Sequence, residues 1–218
     1  MKDADIHHIV RILKKELKKG ETPVVSAMAE NSPDPYAILI STLLSLRTKD
    51  EVTAVAAEKL LRLAATPAEM LKIPEEKIAR TIYPAGFYRN KAKTVLTASK
   101  DLIERFGSKV PDNIDDLLSI KGVGRKTANL VVTLGYGKEG ICVDTHVHRI
   151  SNRLGYVRTK TPDETEMALR AKLPRKYWID INTLMVFFGR TTCKPVSPLC
   201  SVCPLAGYCD RAGVTKSR

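Results

Sequence analysis

Apolar residues recur every three or four positions along most of the chain. Ile6, Ile9, Val10, Leu13 and Leu17 begin the pattern, and that period is helical. Gly20 follows as an expected stop. From Tyr36 to Leu46 nearly every position is apolar, so the helix opened by Asp34-Pro35 should be enclosed on all sides by a core. Thr66-Pro67-Ala68-Glu69 reads as a helix start, with a capping hydroxyl, Pro at the first helical position and Glu at the third. Thr161-Pro162-Asp163-Glu164 repeats the device. A long run from about Tyr88 to Phe106 should end at Gly107, and Gly155 and Gly189 read as further stops. Strand-like alternation is nearly absent, and Val131-Val132 falls inside a helical frame. The pattern predicts an all-α protein, whose final residues Gly213 to Arg218 lack apolar anchors and should fray.

With 218 residues and 44% hydrophobic content, the chain can build one large domain or two modest ones. No stretch approaches the roughly 18 uninterrupted apolar residues of a membrane helix. The first residues scatter charge and have no apolar signal core, which predicts an intracellular helix and no membrane partner. Thirty-six Lys and Arg against 24 Asp and Glu leave a net charge of +12, an excess that suits a polyanionic partner. Lys14, Lys15, Lys18 and Lys19 read as a solvated helix face rather than a binding site.

Four of the five cysteines crowd into one late segment, as Cys193-x6-Cys200-x2-Cys203-x5-Cys209. Zinc sites usually consist of two close pairs. Here only Cys200 and Cys203 are close, which favours a cubane [4Fe–4S] cluster over zinc. Two disulfides are the remaining alternative, and they would require an oxidising compartment for which the amino terminus carries no signal. Cys142 stands apart in an apolar setting and reads as a buried filler.

The segment Leu117 to Leu130 contains Lys121-Gly122-Val123-Gly124-Arg125-Lys126 between two short helical patterns. Glycine there tolerates positive φ and has no side chain to keep a phosphate from the backbone. The turn's N–H groups and the following helix's positive end would face one anion. The full stretch looks like a helix-hairpin-helix motif, which grips a DNA backbone without reading sequence. Lys126 lies in the first turn of the second helix. An isolated lysine at such a place is ordinarily a phosphate contact. The helix amino terminus, Lys121 and Arg125 nevertheless all disfavour a charged ammonium, and a neutral amine is a nucleophile for C1′ of a damaged nucleotide. Asp144, in Val143-Asp144-Thr145-His146, reads both as an N-cap and as a carboxylate able to steady oxocarbenium character at a sugar. His146 and His148 diverge on one helix, make a poor metal pair, and read as packing or DNA-contact residues.

Taken together, these residues resemble the endonuclease III family of bifunctional DNA glycosylases and abasic-site lyases. The resemblance spans nearly the whole chain. It rests on Leu44-Ser45 with Thr48 and Asp50, Gly86-Phe87-Tyr88, the Gly122–Asn129 stretch, Val143-Asp144-Thr145-His146, Gly189-Arg190 and the cysteine loop. It implies two helical domains flanking a DNA-binding cleft: a six-helix barrel with the hairpin over 28–138, and an iron–sulfur cluster domain formed by 1–27 and 139–218. Lys126 would be the nucleophile and Asp144 its carboxylate, facing each other across the cleft, with strand cleavage by β-elimination. Cys193, Cys200, Cys203 and Cys209 would hold a [4Fe–4S] cluster. Lys121, Gly122, Val123, Gly124, Arg125 and Lys194 would contact DNA, and Arg47 and Phe87 would wedge into the gap left by a flipped nucleotide. The implied partner is double-stranded DNA containing damaged pyrimidines or abasic sites, met by a monomer in the cytoplasm or nucleoid of a prokaryote.

Two departures accompany the likeness. Arg47 replaces the Gln common at the wedge position, and the loop between Cys193 and Cys200 keeps Lys194 as its only basic residue. Adenine glycosylases of the superfamily lack the lysine and carry a catalytic Glu where this chain has Thr42. Thymine–guanine mismatch glycosylases place a tyrosine at the lysine position. Lys126 disfavours both, and Lys126 with Asp144 at the family spacing also disfavours a DNA-binding or redox-sensing module without chemistry.

Overall fold

A computed structural model describes residues 3–31 and 33–218. Among the described residues there are α-helices, short 3₁₀ turns and one π-helical turn, and no strand. No described helix is long and apolar enough to cross a membrane. The chain divides into two units, Val24–Gly140, and Met1–Pro23 together with Ile141–Arg218.

Helix α1 (Asp5–Leu17) buries Ile6, Ile9, Val10 and Leu13, and it ends three residues before the expected stop at Gly20. Gly20 is needed for packing instead, because a Cβ there would press on the Phe187 ring. Lys14 is not merely solvated; it pairs with Asp180 at 2.6 Å.

The unit Val24–Gly140 contains α2 (Val24–Asn31), α3 (Pro35–Ser45), α4 (Asp50–Leu63), α5 (Pro67–Met70), α6 (Glu75–Ile82), α7 (Tyr88–Phe106), α8 (Ile114–Ser119) and α9 (Arg125–Leu130). Helix α3 is the centre. Asp34 caps it by accepting from the Tyr36 N–H at 3.0 Å, and every residue from Ile38 to Leu44 is buried. Helices α2, α4, α7 and α9 pack around it, as its all-round apolar pattern requires. Each Leu or Ile buried there contributes about 1.5–3 kcal/mol. Thr66 and Glu69 form the expected capping box on α5, and Gly107, at φ 58°, ends α7. After α9 the helix widens into a π turn over Val131–Gly135, where the Thr133 hydroxyl donates back to the Asn129 and Leu130 carbonyls.

In the other unit, α10 (Thr145–Arg153) and α1 pack on α12 (Asp180–Thr191), with α11 (Pro162–Lys172) against α10. Thr161 caps α11, but the Glu164 side chain reaches the Lys160 N–H instead of closing the box on Thr161. Gly189 is not a stop: α12 runs through it to Thr191. A Cβ there would collide with His146, so the glycine exists to let α10 and α12 approach closely. The tail is not frayed either. Arg218 donates its N–H to Pro198 and accepts from Ser201 at 2.8 and 2.9 Å, and Val214 lines the cysteine cavity. The Arg218 anchors are backbone groups, which side-chain hydropathy does not reveal, and Val214 is an apolar anchor within the tail.

Candidate active site and metal centre

The hairpin turn lies between α8 and α9. Ile120 closes α8, the Val123 N–H returns to the Ile120 carbonyl, and Val123 is buried as the plug of the turn. Only Gly122 has positive φ, at 90°, and a Cβ there would also strike Thr94. Gly124 has ordinary extended geometry, with open space where a Cβ would point, so neither conformation nor packing requires glycine there. Helix α7 supports the turn from below: Asp101 accepts from the Lys121 N–H at 3.0 Å, and Arg105 donates to the Ser119 carbonyl and hydroxyl. Lys121 is exposed. Arg125 and Lys126, half-buried, open α9, whose N-cap Gly124 contributes no side chain.

Arg47 and Phe87, 40 residues apart in sequence, meet in the same unit. The Arg47 guanidinium lies 5.5 Å from the Phe87 ring centroid, and the Phe87 ring projects with 60% exposure. Both residues have left-handed backbone, φ 53° and 57°. Beneath them Lys91 is buried in the first turn of α7. Its Nζ donates to the Leu44 carbonyl at 2.6 Å and to Thr48 Oγ1 at 2.5 Å. Burial lowers the Lys91 amine from 10.5 to about 8. Sequence reasoning passed over this lysine, although it occupies the apolar face of α7 at the spacing of Val95, Ala98 and Leu102.

Asp144 belongs to the other unit and is the N-cap of α10. Its Oδ1 accepts from the His146 and Val147 N–H groups at 2.8 and 2.9 Å, which fixes the carboxylate and uses only one of its oxygens. Both histidines are half-buried with a polar partner: His148 bonds Thr165 at 2.7 Å and His146 meets Arg149 at 3.1 Å. Cys142 is buried, and its carbonyl accepts from Asn182.

Cys193, Cys200, Cys203 and Cys209 line one cavity with Ile150, Leu154, Phe188 and Leu205, and none is in a disulfide. Burial raises the thiols of Cys203 and Cys209, and the other cysteines of the set raise them further. Among the described residues, no three His, Cys, Asp or Glu side chains converge on a single metal ion. Four thiols lining one apolar cavity are the donor set that an iron–sulfur group takes. The loop hangs from α10. Arg153 donates to the Lys194 and Pro195 carbonyls at 2.7 and 2.8 Å, and its guanidinium lies 3.5 Å from Cys193 Sγ. Arg149 donates to the Gly189 and Cys193 carbonyls, and burial lowers its guanidinium below the ordinary value. Neither arginine was singled out by the sequence pattern, though their i, i+4 spacing behind Asp144 is visible there. Lys194 is half-buried, with its carbonyl engaged by Arg153.

Residues 40–175 match the HhH-GPD superfamily base excision DNA repair protein family, and residues 193–209 match the iron–sulfur binding domain of endonuclease III. The endonuclease III of Thermotoga maritima is 50% identical over 177 residues, covering 81% of this chain and 83% of that protein. The Bacillus subtilis endonuclease III is 38% identical, over 84% and 87% of the two chains. A solved structure of a trapped endonuclease III–DNA covalent intermediate superposes with a TM-score of 0.86 at 32% identity, covering 97% of each chain. With a hairpin, a capped carboxylate and a four-cysteine loop in place, the class is that of the HhH-GPD base-excision DNA repair proteins. Within it, the chain belongs to the endonuclease III family. It is a DNA glycosylase and abasic-site lyase that carries a [4Fe–4S] cluster.

Proposed function

We propose that the chain acts as a monomer on double-stranded DNA, in the cytoplasm and nucleoid of a prokaryotic cell. It excises oxidised, ring-saturated pyrimidines and cleaves the abasic sites that result. The observation that carries this reading is Lys126 in the first turn of the helix that follows the Gly122–Gly124 turn, within the family match.

In this reading Val24–Gly140 is the hairpin-bearing barrel domain, and Met1–Pro23 with Ile141–Arg218 is the cluster domain. The hairpin residues Lys121 to Arg125, with Lys194 of the cysteine loop, hold the phosphodiester. Phe87 and Arg47 fill the space vacated by the extruded nucleotide. The Lys126 amine attacks C1′, and the glycosidic bond breaks as the base leaves with its electron pair and takes up a proton. Asp144 offsets the positive charge that develops at the sugar. The nitrogen loses a proton, the sugar ring opens and a Schiff base forms. Loss of a 2′ proton then expels the 3′ phosphate, and water releases the lysine. Cys193, Cys200, Cys203 and Cys209 hold the cluster, which supplies a covalent tie across the loop and takes no part in these steps.

Borohydride trapping on abasic-site DNA tests the assignment. The native protein should give a covalent adduct. Lys126→Gln should give none and should lose strand cleavage by about 10³-fold or more, while its affinity for duplex stays within a few-fold. Cleavage retained by that variant would remove Lys126 from its role.

A further inference from the structure

The side chains assigned to the wedge sit on two separate turns, and each is in a backbone conformation that costs about 1 kcal/mol or more for a residue with a Cβ. Such geometry persists only where surrounding contacts determine it. The first turn, Leu46 to Thr48, follows the end of α3, and the second, Ala85 to Phe87, precedes α7. Thr48 Oγ1 joins them, since it accepts from the Gly86 N–H at 3.0 Å and from Lys91 Nζ at 2.5 Å. Gly86 approaches so closely that any Cβ would collide with the Arg47 carbonyl oxygen. Lys91 also donates to the Leu44 carbonyl, one of the last α3 carbonyls that would otherwise lack a helical partner. Its charge lies at the helix's negative end. It is 7% exposed.

We propose that Lys91 and Thr48 are positioning residues that lock the two turns together and thereby set the Arg47–Phe87 pair for insertion beside the extruded nucleotide. The proposal rests on the wedge reading of that pair. Lys91 itself contacts neither substrate nor reacting atoms; it acts through the turns. The amine's downward shift to about 8 agrees with a site chosen for hydrogen bonding at the expense of hydration.

The test uses the cluster-loaded, full-length protein and a duplex carrying 2-aminopurine opposite an uncleavable abasic-site analogue. Fluorescence then reports unstacking of the opposite base. Lys91→Met keeps most of the side chain's length without its donors, Thr48→Val keeps shape without the acceptor, and Thr48→Ser keeps the acceptor. Lys91→Met and Thr48→Val should each slow the fluorescence change about tenfold, as expected for a small misplacement of a positioned group. Thr48→Ser should stay within about twofold of the native rate. Affinity for undamaged duplex, which the hairpin supplies, should not move. Phe87→Ala should lose as much as Lys91→Met, and combining the two should add little. Should Lys91→Met fail to fold, the Thr48 pair decides on the same criteria. Native rates in both Thr48→Val and Lys91→Met, with Phe87→Ala impaired, would overturn the lock and leave the wedge standing. A native rate in Phe87→Ala would overturn the wedge reading itself.

Discussion

The paired turns at Arg47 and Phe87 and the loop from Cys193 to Cys209 both stand outside regular helices, yet they are held by different means. The paired turns are clamped between the ends of two helices whose other faces lie in an aliphatic core of Ile38, Leu39, Leu43, Val95 and Ala98. Their closing contacts are a buried ammonium, a hydroxyl and a glycine from the same unit. The cysteine loop has two 3₁₀ turns, and Pro198 and Leu205 are its buried aliphatic anchors. Its shape comes from guanidiniums on its carbonyls, from the carboxy-terminal tail, and from four thiols around a cavity. A turn built on a core keeps its geometry without help, whereas a loop built on thiols needs the group that joins them.

The largest test of that contrast is removal of the cluster, by iron chelation or by Cys200→Ser. Hydrogen exchange should accelerate across residues 193–218 and at the end of α10, reflecting a local loss of about 5 kcal/mol or more, while α3 and α7 stay protected. Equal loss in both units would erase the distinction.

A smaller effect sharpens the other side. The folded state releases the Lys91 proton near pH 8, and the unfolded chain holds it to about 10.5. The cost of burying the ammonium is therefore fully present below pH 8 and is relieved as the pH rises towards 10.5. Urea melts at pH 7.5 and 9.5 should show native protein gaining about 2 kcal/mol over that interval relative to Lys91→Met. A constant difference between the two proteins would mean that Lys91 is not buried as a cation.

The smallest change in stability belongs to the α10 cap. Asp144→Ala should cost about 1 kcal/mol in thermal unfolding, and Asp144→Asn only a few tenths, because the amide still caps. Single-turnover base release should nevertheless slow in both, since the charge is gone from both. Arg149 and Arg153 lie one and two turns beyond the cap, so the cysteine loop should keep its native exchange pattern in either variant.

Much of this architecture was legible before any coordinates. The enclosed helix α3 follows from its unbroken apolar run, the cap on α5 from Thr-Pro-x-Glu, and the hairpin from two glycines between short helical patterns. Gly189 misled because a glycine that ends a helix and one that admits a neighbouring helix look alike in sequence. The tail misled because it is held at Arg218 by main-chain hydrogen bonds and at Val214 by a single apolar contact. Lys91 was passed over because a lysine on an apolar helix face usually carries its charge out to water, and here it finds a carbonyl and a hydroxyl instead.

Local order in the chain accounts for whatever acts over a few residues: the helical period, the caps, the Gly122 turn, the Asp144 cap, and the order of lysine, carboxylate and cysteines. Which distant groups meet was set by packing alone. Arg47 lies on Phe87, Lys91 ends under α3, Arg153 takes the carbonyls of a loop some 40 residues away. The reason is physical. Neighbours within a helical turn interact whatever the rest of the chain does. Contacts across tens of residues exist only after the core has packed and chosen one alignment of its helices.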